Sequence, residues 1–238
     1  MTQNYNPESD FCFVCKDDNT AIIITNYIGT DTILNIPPEI RGLPVVEIGD
    51  EAFAEKGLTE VSIPNTVTYI GDYAFNQNQL TNLTIPDSVT HIGVWAFAEN
   101  QLTSITIPSA VMDIDDYTFG MNKLTSVTIP HGIAHIGEHA FGGNQLTSVT
   151  IPDSVVYIGY WAFTENHLTS ITIPDSVTMI RDGAFKDNPQ LANITIGNNV
   201  DLYQDAFPGN FCDMYEKLSR KADTYVLTNG KWKLASSC

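Results

Sequence analysis

The densest group of potentially catalytic side chains in the sequence is His135-Ile136-Gly137-Glu138-His139. It spells H-x-x-E-H, the pattern by which one class of metallohydrolase holds zinc and places a general base. That chemistry needs a helix, on which residues four apart share a face. Ile136-Gly137 instead falls where a short strand gives way to a turn, so a chance match is expected and no metal site is assigned. His131 brings the imidazoles of this stretch to three, which would make at most an adventitious transition-metal site. Cys12-x-x-Cys15 has zinc-knuckle spacing, but the other cysteines, Cys212 and Cys238, lie at the far end of the chain and no histidine neighbours the pair. Structural or free thiols are the expectation. Asn82-Leu83-Thr84 and Asn193-Ile194-Thr195 match the glycosylation sequon, yet both fall in strand positions and are expected to go unmodified. No Gly-x-Ser-x-Gly and no phosphate-cradling glycine loop occurs, so neither catalysis nor a cofactor is expected.

Binding chemistry has better support. Tyr69, His91, Asp113, His135, Tyr157 and Met179 recur at one fixed spacing, and Tyr73, Trp95, Tyr117, His139, Trp161 and Gly183 at another. Stacked every ~4.8 Å, such residues form an aromatic band. The candidate ligand-binding residues are therefore Tyr69, Tyr73, His91, Trp95, Tyr117, His135, His139, Tyr157 and Trp161. Trp and Tyr are enriched in binding hot spots, and contiguous exposed apolar surface usually marks a contact. A second reading stays open, in which the rings only shield the core. Asp72, Asp116, Glu138 and Asp182 lie between them, and their field favours a basic partner.

The elements that position these residues are repeats. Blocks related to LTEVSIPNTVTYIGDYAFNQNQ begin at Leu58, Leu80, Leu102, Leu124, Leu146 and Leu168 with a period of 22 residues, and divergent blocks flank them, giving eight units. The boundaries read 33–57, 58–79, 80–101, 102–123, 124–145, 146–167, 168–190 and 191–207. Segments 1–32 and 208–238 flank this solenoid as caps. In the unit at Leu124 the inward set is Leu124, Val127, Ile129, Ile133, Ile136, Ala140 and Phe141. The period-two alternation of Ser126-Val127-Thr128-Ile129 predicts a short strand that Pro130 ends. Gly137 is expected to permit a turn that a Cβ would resist, and Glu138–Gly143 to form a helical turn. The column of Asn78, Asn100, Asn122, Asn144, Asn166 and Asn188 predicts side-chain amides bonding the backbone at a corner. Each unit can cover its apolar side only with its neighbours, so a lone unit cannot fold. In the flanks, Ala21–Thr25 reads as a strand over the first turn. Pro208–Ala222 reads as a short helix, and Tyr225–Trp232 as a hairpin around Asn229-Gly230.

The columns Leu-Thr-x-x-Thr-Ile-Pro-Asp-Ser-Val-x-x-Ile-Gly-x-x-Ala-Phe-x-x-Asn resemble the BspA-like class of leucine-rich repeat, from about Phe11 to the C-terminus. The resemblance implies an α/β leucine-rich repeat solenoid that is right-handed and β-rich. Its parallel sheet would lie on the concave face, with short helical turns and N- and C-terminal caps. It also implies a non-catalytic protein-binding module, commonly a bacterial or protist surface protein engaged in adhesion or host interaction. Gly197 stands where proline is usual, Asp115 and Arg181 where glycine is usual, and Thr118 where alanine is usual.

Composition bounds the rest. The 238 residues carry 11 Lys+Arg against 28 Asp+Glu, a formal charge of −17 that argues against nucleic acid as a partner. No apolar run reaches the roughly 18 residues a membrane span needs, and Met1–Asp10 has no signal-peptide core. An extracellular or cell-surface location thus rests on the resemblance alone, and a monomer is expected. Rows of Ser and Thr on the outward strand positions, Ser104, Ser126, Ser148 and Ser170 with Thr106, Thr128, Thr150 and Thr172, leave a structural or ice-binding lattice as the alternative function. A metal-dependent hydrolase is a remote one.

Overall fold

The computed structural model describes residues 5–16 and 19–235. Six of the eight coils contribute to two parallel ladders, where one strand per unit is expected, and the coils at Leu80 and Leu146 contribute to one. The first holds the Ser-x-Thr segments: Ile33–Asn35 pairs with Glu60–Ser62, Ser104–Thr106 with Ser126–Thr128, and Ser170–Thr172 with Asn193–Ile196. The segments 82–84 and 148–150 between those pairs have no strand assignment. The second ladder runs through more layers. Ile22–Tyr27, Leu43–Ile48, Tyr69–Ile70 and His91–Ile92 follow one another in parallel. Asp113–Ile114, His135–Ile136, Tyr157–Ile158, Met179–Ile180 and Asp201–Leu202 do the same. Among the described residues this second ladder breaks once past Leu43, before Asp113–Ile114, in the layer where Asp115 occupies the glycine column.

The repeat columns build the core. Leu124, Ile129, Ile133, Ile136, Ala140 and Phe141 are buried as the spacing requires. Val127 is only half-buried, and so are its counterparts Leu83 and Val149. The phenylalanines form a continuous internal stack from Phe53 to Phe207, with neighbouring centroids such as Phe97–Phe119 at 5.8 Å and Phe185–Phe207 at 4.9 Å. The asparagine column closes a corner of the six coils from Leu58 to Gln190. Asn144 Nδ2 donates to Phe119 O, Phe141 O and Gly142 O, while its Oδ1 accepts from Leu124 N at 3.0 Å. One buried amide thereby satisfies backbone groups of two layers, which would cost about 1–3 kcal/mol each if left unpaired.

The turn around the Ala-Phe pair is not helical. Two residues per coil sit in the left-handed region instead. The first column is Glu51, Tyr73, Trp95, Tyr117, His139, Trp161, Gly183 and Asp205, and the second runs from Glu55 through Gln77, Glu99 and Met121 to Gly209. This conformation turns the chain sharply while keeping its N–H groups aimed at the next coil, so that Tyr117 N donates to Glu138 O at 2.7 Å and Phe119 N to Ala140 O at 3.0 Å. A helical turn would direct those donors back into its own coil. Gly137 is required for space rather than for φ, because a Cβ there would meet Asp116 Oδ1 at 2.6 Å and the Asp115 backbone at 2.7 Å. Beneath Asp115 and Arg181, the two departures from glycine, stand Val94 and Tyr160, which hold no carboxylate in that place.

The α-helix of the described residues is Phe211–Lys217, with Phe211 and Tyr215 buried. Asp223–Thr228 pairs antiparallel with Asn193–Ile196 and turns at Asn229-Gly230 into Lys231–Leu234. At the other end Phe11–Cys15 pairs antiparallel with Ile22–Tyr27. Cys12 and Cys15 are exposed free thiols, and Cys212 is free and half-buried, with burial raising its pKa. Cys238 lies outside the described residues. No helix among the described residues is long and apolar enough to cross a membrane.

Candidate functional site: an exposed ladder of rings

Val/Ile-x-x-Ile-Gly, with Asp115 and Arg181 replacing the glycine in two coils, leads the chain out of its second strand, and the residue two positions after the glycine column enters the left-handed turn. Its side chain then projects from the corner, one layer above its counterpart. Tyr73, Trp95, Tyr117, His139 and Trp161 consequently stack face to face. Their centroid separations are 6.0, 4.1, 4.7 and 5.3 Å, and no pair is tilted by more than 26°. Tyr73 and Trp161, at the two ends, are each 39% exposed. The stack stops at Gly183, where a Cβ would approach Trp161 Cδ1 to 2.3 Å.

The neighbouring column is not a continuous band. Tyr69 and His91 stack at 4.5 Å, Asp113 interrupts, and His135 and Tyr157 resume as a tilted pair at 6.2 Å. His135 Nδ1 lies 2.6 Å from Asp113 Oδ1, and His91 Nε2 lies 4.0 Å from Asp115 Oδ2. All nine candidate residues thus lie on one face of the coil, five of them in an unbroken stack. The H-x-x-E-H residues are not brought together. His135 extends from the strand toward Asp113, while His139 sits one turn later between Tyr117 and Trp161, and the described residues contain no group of three or more ligands fit for a metal.

The field around the rings is acidic. A shallow depression of about 440 Å³ is lined by Asp113, Asp115, Asp116, His135 and Tyr157. Burial raises the Asp115 pKa, His91 opposes that shift, and Asp113, Asp116 and Asp72 add to it. Burial also raises the Tyr117 pKa, helped by Glu138, whose Oε1 accepts from the Tyr117 hydroxyl at 3.3 Å. His139 is shifted down by burial, with Glu138 and Glu165 opposing. Its imidazole is therefore held neutral within the stack at neutral pH.

Three residues beside the ladder escaped the sequence reading as a group. The Arg181 guanidinium lies over the Tyr160 ring at 4.4 Å and over the Tyr203 ring at 4.0 Å, and Tyr160 leans on Trp161 at 5.7 Å. The available signal was a cation in the glycine column with a tyrosine 21 residues before it and another 22 after. The Ser/Thr face is less regular than its sequence, because its ladder is interrupted at 82–84 and 148–150. A lattice to order water would have to span those interruptions.

Where the ring column holds Glu51, Gly183 or Asp205, the phenylalanine beneath is as buried as elsewhere: Phe53 and Phe185 at 0% exposure and Phe207 at 1%. Core coverage does not depend on the rings. The left-handed turn itself disfavours bulky side chains and is best met by Gly or Asn. Neither the backbone conformation nor coverage of the core accounts for five consecutive aromatic residues there, whose one local gain is stacking on each other.

A model of the BspA type leucine-rich repeat region matches residues 46–143 and 113–218, in six copies. Among solved structures, a leucine-rich repeat protein of T. pallidum is 26% identical, with 90% of this chain and 96% of that one covered at a TM-score of 0.54. A leucine-rich cell surface protein from Faecalibacterium prausnitzii is 24% identical, with coverages of 87% and 74% and a TM-score of 0.55. A leucine-rich repeat protein from Bacteroides ovatus is 23% identical, with coverages of 82% and 66% and a TM-score of 0.54. No curated protein matches the sequence.

Proposed function

This chain belongs to the BspA-type leucine-rich repeat family, and on that premise we propose that it is a non-catalytic protein-binding module. Its contact surface is the ring ladder from Tyr73 to Trp161, with Tyr69, His91, His135 and Tyr157 beside it. The observation that carries this reading is the spending of five strained turn positions on partly exposed rings that the core beneath does not need. The acids between the rings, within a chain of net charge −17, favour a basic protein as the partner. Adhesion or contact with a host protein at a cell surface is the setting that the family resemblance suggests.

The test is a binding screen of the folded chain against purified basic proteins, repeated with the double variant Trp95→Asn, Trp161→Asn. Asparagine tolerates the left-handed turn, so the variant keeps its fold. Affinity for a saturable ligand should fall at least tenfold, as expected when hot-spot aromatics are removed. Full retention of that affinity would remove the ladder from the reading.

A further inference from the structure

Rings stacked in parallel hide their faces from solvent and offer only their edges, so the interior of the ladder cannot stack on anything else. Only its ends have faces to give. Trp161, as exposed overall as Tyr73, overhangs the Gly183 backbone and touches Tyr160, which is covered by Arg181, so its outer face already has protein against it. The end at Tyr73 is different. Trp95 stacks on one face of Tyr73, and the column's preceding residue is Glu51, an exposed carboxylate one layer away. Asp50 and Asp72 flank this position. Tyr69 stands in the adjacent column, 36% exposed, with its phenol pKa raised by burial and by those two acids. The nearby cation Lys16 is already engaged with Glu47 at 3.3 Å.

The same molecule shows which group suits such a gap. At the other end of the ring system a guanidinium fills the space between Tyr160 and Tyr203. A planar cation therefore fits the stacking distance when it takes the place of one layer, between side chains two coils apart. We propose that the face of Tyr73 turned away from Trp95, with the exposed Glu51 carboxylate one layer off and the second oxygens of Asp50 and Asp72, whose Oδ1 atoms accept backbone N–H groups of the next coil, is a subsite for an arginine side chain of the partner. A guanidinium can stack on the phenol ring and keep its in-plane N–H donors for a carboxylate. An ammonium can do the second but has no plane to stack. The partner is accordingly a basic segment read for arginine in preference to lysine. This inference rests on the binding reading above and refines it.

The experiment titrates hexa-arginine and hexalysine into the folded protein at fixed ionic strength, following Trp fluorescence and heat. Hexa-arginine should bind about threefold to fivefold more tightly, the size of an exposed cation–π contact. Tyr73→Asn should abolish that preference while leaving the hexalysine affinity, which reflects net charge, within twofold. Tyr73→Gly serves as a second variant, since Gly183 already fills this column. Equal affinity for the two peptides, a preference that survives both variants, or no binding of either peptide would each overturn the subsite. Its failure is separable from failure of the parent reading. The double tryptophan variant can still lose a protein ligand when the peptides show no preference, and the peptide preference can hold when no protein ligand depends on Trp95 and Trp161.

Discussion

Two stacks of aromatic rings run along this coil, and they obey different rules. The inner one is phenylalanine in every layer from Phe53 to Phe207, each ring fully or almost fully buried. The outer one changes from Tyr to Trp to Tyr to His to Trp and then ends at glycine. Both owe their spacing to the same interlayer backbone bonds, such as Phe75 N to Ala96 O at 2.8 Å and Tyr73 N to Val94 O at 2.9 Å. Geometry alone therefore does not fix residue identity. Burial does: a ring enclosed on all sides has one shape that fits, while a ring at a corner is free to vary until something outside the chain selects it.

The comparison can be broken most directly at the inner stack. Phe119→Ala should cost about 3–5 kcal/mol, the usual range for deleting a buried aromatic, read as a fall in the urea midpoint. A loss below 1 kcal/mol would mean that the two stacks are energetically alike. Next in size is the corner amide: Asn144→Ala removes three donated bonds and one accepted bond in buried surroundings and should destabilise by about 2–3 kcal/mol in the same assay. At the outer stack the sign should change. Trp161→Gly relieves a left-handed bulky residue and should leave stability within about 1 kcal/mol of the parent, in either direction. A loss as large as that of Phe119→Ala would restore the shielding role.

Two pH effects separate the regions further. Buried Tyr225 has its pKa raised to about 12, chiefly by burial, above the 10.0 of an exposed phenol. The folded state thus keeps a proton that the unfolded state gives up. Stability from this group is complete below pH 10 and is lost as pH rises from there toward 12. Tyr225→Phe should flatten that alkaline loss in thermal melts. His139 has the opposite and smallest effect. Its pKa is lowered, so the unfolded chain takes up the proton first, and stability declines as pH falls through 6.5, the ordinary value of an exposed imidazole. His139→Asn should flatten this shallow acid slope, and the His139 imidazole shifts followed by NMR should titrate below 6.5.

The repeat, the inner stack and the asparagine corner were legible because each is one residue type returning every 22 positions, and only a shared environment makes a column so uniform. The candidate ring residues were legible for the converse reason, as variable positions within a rigid frame. Three features were not. A run of six residues such as Glu138–Gly143 is too short to reveal its backbone conformation through periodicity, and the left-handed turn took the place of the expected helical one. The greater continuity of the ladder through Tyr69 and His91 depends on backbone bonds, which leave no mark on side-chain pattern. The Tyr160–Arg181–Tyr203 sandwich joins a residue of one column to two of the adjacent column across three successive layers.

By itself the sequence determined which side chains are enclosed, because enclosure tolerates few shapes and repeats its choice. The tertiary structure alone decided which exposed rings touch and which faces stay open. Those facts follow from how far each coil is displaced over the last, a distance set by hydrogen bonds between main chains that are nearly blind to the side chains they carry.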